Sequence, residues 1–190
     1  MKYSHTRLLC YALITVLLSG CQHLHTGAGE SERSRASMRA DRQEAVLNRL
    51  RNEINLTYGF KDGVPRINLG PCGRFAKEFR EQWNARFRQK INIVFAMTSD
   101  GAHCHHVLVR LPDGAYYDGG NGVIPGPTLL KQYSEGSRLD EMVEFDLKLL
   151  DKWSYGLGRS YENCPNYSDE TTRRIIESHL SKLPKETEEP

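Results

Sequence analysis

The stretch from Cys72 to Phe87 most restricts the fold, because its aromatic residues recur at every fourth position. Side chains with this spacing line one side of a helix, so the pattern predicts a helix over residues 72–88 that packs against a core. Pro71 suits the first turn of that helix. The sequence therefore places Cys72 at the start of a helix. The aromatic residues that form the stripe are Phe75, Phe79, Trp83 and Phe87.

After this helix the hydrophobic pattern changes to one typical of strands. The apolar run at 91–97 is rich in β-branched residues and predicts a central strand. Residues 105–111 and 115–119 flank the turn signal Pro112-Asp113-Gly114, which predicts a hairpin. Strict alternation at 143–149 predicts one further, half-buried strand.

Helices are predicted on both sides of the strand region. Apolar residues spaced by three and four indicate a helix over 41–57. Ser168 suits the N-cap of a last helix that runs to about Lys182, because two acidic residues follow it at the positive end of the helix dipole. The order of helices and antiparallel strands predicts an α+β fold in which the Cys72 helix packs on the sheet.

The first twenty residues read as an export signal. Two basic residues precede a short apolar run that ends in Leu18-Ser19-Gly20-Cys21. This ending resembles the lipobox of bacterial lipoproteins. The resemblance implies cleavage before Cys21 and acyl chains on that residue, and Gln22 favours the periplasmic face of the outer membrane. The alternative is an ordinary secretory signal with an incidental cysteine.

The remainder divides into a tether, one domain and a tail. Residues 21–40 are rich in Ser, Gly, Arg and Ala without a clear apolar period, so we expect a flexible tether. Residues 41–183 form the predicted domain, and 184–190 a charged tail. Two of the 26 basic residues and none of the 24 acidic residues lie in residues 1–20, so the mature chain has no net formal charge. This balance argues against nucleic acid as a partner.

Cys72 is the first candidate for chemistry. A thiol at a helix start lies beside unpaired amides and the positive end of the dipole, which favour the reactive thiolate. The same amides can hold an oxyanion, and Gly73 leaves room for a substrate carbonyl. The alternatives are a buried structural thiol or one half of a disulfide.

A thiolate nucleophile requires a histidine, and residues 103–106 contain three of them. Alternation along a strand predicts that His106 shares a face with Cys104 and Leu108. A tight hairpin turn would place Asp118 opposite His106, where it could orient the ring. His105 could take the place of His106, and Asn121 is close enough to compete with Asp118.

The segments GPCGRFAKEF, HHVLVRLPDG and YYDGG are similar to the Cys, His and Asp blocks of the papain-like and transglutaminase-like cysteine enzymes. The resemblance covers about residues 68–122. It implies a nucleophile at Cys72, a general base and acid at His106, and an orienting group at Asp118. Gly73 and Arg74 replace the acids of the calcium-dependent branch, so the sequence predicts no cofactor. Asn68 is a weak candidate for an oxyanion donor.

These observations lead to one expected function and two alternatives. The first is a membrane-anchored cysteine peptidase or transamidase that acts on an amide bond of an envelope protein or peptide, with water or an amine as acceptor. A second is an inactive envelope-binding lipoprotein of the same fold. A third is a periplasmic metal-binding lipoprotein that uses the cluster His103–His106. In the oxidising periplasm Cys104 and Cys164 could form a disulfide.

Overall fold

The computed structural model describes four parts of the 190-residue chain, and the predicted signal and the predicted strand at 143–149 lie outside them. The chain divides into two compact units, Met1–Asp41 and Arg42–Pro190. The described parts are residues 26–126, 128–129, 138–142 and 162–184.

Helix α1 spans Thr26–Tyr58. Its predicted start at residue 41 is wrong, because residues 26–40 of the expected tether are helical as well. These residues include Ala, Arg and Glu, which favour helices by propensity, yet residues 32–40 are all exposed and provide no apolar stripe. The predicted stripe further along α1 is confirmed. Its buried residues are Val46, Leu47, Leu50 and Ile54.

Helix α2 spans Cys72–Arg86 and confirms the predicted helix start. All four residues of the aromatic stripe are buried. Their rings contact one another in sequence along the helix, and Phe79 also contacts Tyr117 of the sheet at a centroid distance of 4.8 Å. Burial of such large apolar surfaces is the main attraction between α2 and the strands.

The strands of the described residues are β1 Phe60–Lys61, β2 Val64–Pro65, β3 Asn92–Met97, β4 Cys104–Arg110, β5 Tyr116–Asp118, β6 Gly122–Ile124 and β7 Arg138–Met142. Five of them form the main sheet, which is antiparallel and has the order β6-β5-β4-β3-β7. Residues of α1, of α2 and of the helix at Asp169–Leu180 contribute to the hydrophobic cluster that includes residues of β3, β4 and β5. A separate two-stranded ribbon, β1-β2, precedes a short 3₁₀ helix at Arg66–Asn68. The described residues therefore have an α+β fold.

A β-bulge interrupts the alternation at the start of β4. Ala96 of β3 pairs with His106, but its neighbour Met97 pairs with Cys104, so His105 is an extra residue. Consequently Cys104 packs in the cluster that contains the helices, whereas Leu108 packs in a second cluster. The prediction that His106 shares one face with both Cys104 and Leu108 is wrong for this reason.

Helix α3 spans Asp169–Leu180, and its predicted cap is confirmed because the Ser168 side chain accepts a hydrogen bond from the Thr171 amide. Ion pairs join α3 to α2. Arg74 pairs with Asp169, and Arg173 pairs with the buried Glu78 at 2.9 Å. The first of these pairs holds the two helix starts together, so α3 helps to fix the position of Cys72.

We expect Gly119→Ala to destabilise the fold by about 1–3 kcal/mol, because overpacking a core has this typical cost. A Cβ atom at Gly119 would lie 2.8 Å from the ring of Phe75, closer than carbon atoms normally approach. Gly126→Ala is the matched control, since its Cβ would have no neighbour nearer than 3.6 Å. Urea denaturation followed by circular dichroism measures both. Equal midpoints for the two variants would contradict this packing.

Candidate functional site

His106 of β4 and Asp118, the last residue of β5, form a buried pair on neighbouring strands. The Nε2 atom of His106 lies 2.9 Å from Oδ2 of Asp118, and both residues are buried. Val109 pairs with Tyr117, so in the same register Asp118 lies opposite Leu108 rather than His106. The predicted register is thus displaced by two residues. Such a shift keeps both residues on the same face, and His106 reaches Asp118 diagonally.

Asp118 is held by five hydrogen bonds within the described residues. Its Oδ1 accepts from Asn68 Nδ2 at 3.2 Å and from the amides of Gly120 and Asn121 at 2.8 and 2.6 Å. Its Oδ2 accepts from His106 and from Asn121 Nδ2 at 2.9 Å. Burial alone would raise the pKa of Asp118, but the bonds from His106 and Asn121 lower it below its ordinary value. Asp118 is therefore a fixed carboxylate.

Asn68 and Asn121 are positioning residues in this arrangement. Both side-chain amides donate to Asp118, so Asn121 supports the carboxylate instead of replacing it, and Asn68 is engaged with Asp118 rather than directed to an oxyanion. The local signal for Asn121 is the Asp-Gly-Gly-Asn order, since an Asp side chain commonly accepts from the amide two residues later. The contact of Asn68 spans 50 positions and has no such signal.

Cys72 is the first residue of α2 and is 8% exposed. The N-cap is Pro71, which provides no side-chain hydrogen bond to the first amides of the helix. Those amides have no acceptor within the helix, so they can stabilise negative charge beside the thiol. Gly70 has a φ of +147°, a backbone conformation that favours glycine. The Gly-Pro-Cys sequence is thus what turns the chain into an uncapped helix start.

The third contact joins Cys72 to His106. The Cys72 thiol lies close enough to the His106 ring to affect its protonation, while its hydrogen bond goes to the carbonyl oxygen of Gly70 at 4.0 Å. Burial would lower the pKa of His106, but the hydrogen bond with Asp118, the nearby Cys72 and the charges of both groups raise it to about 10. The ring is then positively charged at neutral pH. The structure therefore brings together all three residues that the sequence singled out.

His105 and Cys104 are positioned differently from their neighbour His106. His105 is exposed, whereas His106 is buried. Cys104 donates from its thiol to the carbonyl oxygen of His106 at 3.2 Å. Cys164 is a buried thiol near Tyr58 and Arg66, and burial raises its pKa. Since Cys104 and Cys164 are both thiols in the structure, the predicted disulfide is not formed.

Neither a metal cluster nor a membrane span is found in the part of the chain that the structure describes. No group of three or more His, Cys, Asp or Glu side chains is arranged there to hold a metal ion, and metal binding by the cluster His103–His106 stays a prediction. None of the helices in the described ranges has the length and apolar character needed to cross a membrane.

Comparisons with known proteins identify no relative of this chain. No family model matches it, no curated protein matches it, and no solved structure matches its fold. The functional argument therefore rests on the geometry of the three residues and their neighbours.

We expect the His106 ring to remain protonated at pH 8, as detected by NMR of its carbon-bound protons. Its pKa is raised from 6.5 to about 10 on folding, so the charged ring contributes its full stabilisation below pH 6.5 and loses it as the pH rises through about 10. In Asp118→Asn the pKa should fall, because the main hydrogen bond and charge are lost while the burial remains.

Asp113→Asn is the matched control for this titration. Asp113 is exposed and bonds only to its own turn through the Ala115 amide among the hydrogen bonds of the described residues. This variant should leave the His106 titration unchanged. An unchanged titration in Asp118→Asn as well would show that the carboxylate does not hold the charge on the ring.

Proposed function

We propose that the protein is a thiol hydrolase or acyltransferase that cleaves an amide bond through Cys72, His106 and Asp118. One observation carries this proposal: a thiol at an uncapped helix start lies near a buried histidine whose Nε2 atom is held by a carboxylate at 2.9 Å. A nucleophile, a proton carrier and an orienting group in this order are the requirements of nucleophilic acyl transfer.

The proposed reaction begins when the Cys72 thiolate attacks the substrate carbonyl carbon and forms a C–S bond. The carbonyl oxygen becomes an oxyanion, which the free amides at the start of α2 stabilise. The intermediate collapses, the C–N bond breaks, and the protonated His106 donates a proton to the leaving amine. The product at this stage is a thioester on Cys72.

Resolution of the thioester requires an acceptor. Water or an amine attacks the carbonyl while neutral His106 takes its proton, and the C–S bond then breaks to regenerate the thiolate. Water gives hydrolysis and an amine gives transamidation. Asp118 stays ionised in both steps and keeps the Nε2 side of the ring occupied, so that the opposite nitrogen serves the sulfur.

The α+β fold supports the resemblance to papain-like and transglutaminase-like enzymes. A cysteine helix packed on an antiparallel sheet, with histidine and aspartate on adjacent strands, is what a papain-like or transglutaminase-like core would require. We propose that this chain has such a core.

The proposed location is the cell envelope. The Leu18-Ser19-Gly20-Cys21 ending supports a lipid anchor on Cys21, on the periplasmic face of the outer membrane. An anchor of this kind confines the enzyme to substrates near the membrane, such as an envelope protein or peptide. No nucleic acid is expected as a partner, because the mature chain has no net positive charge.

One observation favours an inactive envelope-binding lipoprotein as the second candidate. Cys72 and His106 are only 8% and 7% exposed, so a substrate has limited access to them in this conformation. The reactivity of the thiol separates the two candidates directly, since a binding module does not require a reactive sulfur.

We expect iodoacetamide at pH 7 to alkylate Cys72 of the full chain, and His106→Ala to slow this reaction by about 10–100-fold, because the charged ring no longer favours the thiolate. His105→Ala is the matched control and should react like the wild type, since His105 is exposed. Peptide mapping by mass spectrometry locates the label.

The same proteins can be treated with p-nitrophenyl acetate to test the chemistry itself. An acetyl thioester should form at Cys72, with loss in Cys72→Ala and His106→Ala and retention in His105→Ala. Alkylation without any thioester would leave a reactive thiol but no acyl transfer. Slow alkylation that is equal in all variants would favour the binding module.

We expect the wild-type chain, expressed in a Gram-negative host, to fractionate with membranes and to begin at an acylated Cys21. Cys21→Ser should remove the acyl chains, because the lipid is attached through the thiol. Cys10→Ser is the matched control and should leave acylation unchanged, since residue 10 lies within the predicted signal. The mass of the N-terminal peptide measures both. An unacylated wild-type chain would contradict the proposed anchor.

A further inference from the structure

Cationic side chains collect at the end of the domain where α2 and α3 finish. Arg86, the last residue of α2, donates to the carbonyl oxygens of Ser181 and Leu183, which follow α3, at 3.1 and 2.8 Å. Arg42 of α1 donates to the carbonyl oxygen of Lys182 at 3.2 Å. These bonds bring cations from three segments that are distant in the sequence to one surface.

A fourth cation, Lys90, lies in the segment that follows α2. Its ammonium group donates to the carbonyl oxygen of Phe87 at 2.9 Å, directly beyond the end of the helix. Three of the four cationic residues are exposed, and Arg86 borders an open cleft between α2 and α3. We call this surface the basic end, and it consists of Arg42, Arg86, Lys90 and Lys182.

The positive charges of the basic end are not neutralised by carboxylates. The bonds described above all end on neutral carbonyl oxygens, and within the described ranges no carboxylate forms an ion pair with any of the four cations. Carbonyl groups at a helix C-terminus favour a nearby cation but carry only a partial negative charge. By contrast, Lys77 in the first half of α2 pairs with Glu81 at 2.9 Å. The basic end therefore has a local surplus of positive charge.

The position of the basic end indicates what it contacts. Arg42 is the first residue of the larger compact unit, so the chain that leads back to Cys21 joins the domain at this surface. The proposed acyl chains on Cys21 hold that part of the chain at a bilayer. Head groups with a net negative charge complement a cluster of cations, and a basic cluster commonly acts together with a lipid anchor.

We propose that the basic end docks on the surface of an anionic phospholipid bilayer. The inference rests on the proposed membrane location but not on the proposed acyl transfer. Cys72 is the first residue of α2 and Arg86 is the last, so about 21 Å separate them along the helix axis. Docking by the basic end directs Cys72 away from the lipid, where a peptide or protein substrate reaches it from the aqueous side.

The test is acetylation of lysines by an N-hydroxysuccinimide ester in the full chain bound to preformed vesicles. Vesicles of phosphatidylcholine are compared with vesicles of equal parts phosphatidylcholine and phosphatidylglycerol, and peptide mapping by mass spectrometry locates the acetyl groups. We expect Lys90 and Lys182 to react at least about fivefold more slowly on the anionic vesicles, because one cation near such a surface strengthens binding by about this factor. Lys61 and Lys77 lie outside the basic end and should react equally on both. High salt should remove the difference, since it screens the charges.

Arg42→Gln and Arg49→Gln form a matched pair for this measurement. Both arginines are exposed on α1, but Arg49 lies outside the basic end. The first variant should weaken the protection of Lys90 by about fivefold, and the second should leave it unchanged. Equal weakening in both variants would contradict a docking surface at this end of the domain.

Two results on the wild-type chain would overturn the proposal. Equal and rapid acetylation of Lys90 and Lys182 on both kinds of vesicle would mean that the basic end does not dock. Slow acetylation on both kinds would mean that a second copy, or another part of the same chain, covers the surface instead. Flotation with phosphatidylcholine vesicles measures the anchor alone, so a failed anchor, failed docking and failed thioester formation are distinguishable.

Discussion

The carboxylate of Asp118 is the group on which the candidate site depends. A buried charge is tolerated only when hydrogen bonds and an opposite charge replace the lost solvent. Asp118 obtains them from its own turn, from Asn68 ahead of α2, and from His106 on the neighbouring strand. Each of these contacts fixes a different element. The requirement to satisfy one carboxylate therefore aligns the turn, the segment before Cys72 and the histidine strand.

Glycine at positions 119 and 120 is what permits this convergence. A Cβ atom at Gly120 would lie 2.5 Å from Asn68 Nδ2, the atom that donates to Asp118. A Cβ atom at Gly119 would meet the ring of Phe75, one turn into α2. The two glycines let the turn lie directly against the segment that leads to Cys72. Close packing and the polar site are therefore two consequences of the same backbone approach.

Features that depend on a local pattern of residues could be predicted from the sequence. The start of α2 follows from Gly70-Pro71 and the aromatic stripe, and the Ser168 cap follows from its acidic neighbours. The sequence was not sufficient where the outcome depends on contacts between distant segments. The register of β4 and β5 is set by the turn geometry between Leu111 and Ala115, and two residues of displacement leave the alternation unchanged.

Other differences have a similar physical origin. The bulge at His105 interrupts a regular alternation, and no residue type specific to bulges marks it. The first part of α1 has no apolar period, so periodicity does not detect it although its residues favour helices. The supporting role of Asn68 requires knowing that the chain returns to it 50 residues later. The three central residues could be predicted because each lies in a short motif, whereas the network that holds them could not.

One face of α1 packs on the turn that follows Asp118 and supports the site. Asn55 holds the carbonyl oxygen of Gly120, and Arg51 holds that of Asn121. The amides of the same two turn residues donate to Asp118. The turn thus lies between α1 on one side and the carboxylate on the other, so its bonds to α1 help to keep its two amides directed at Asp118.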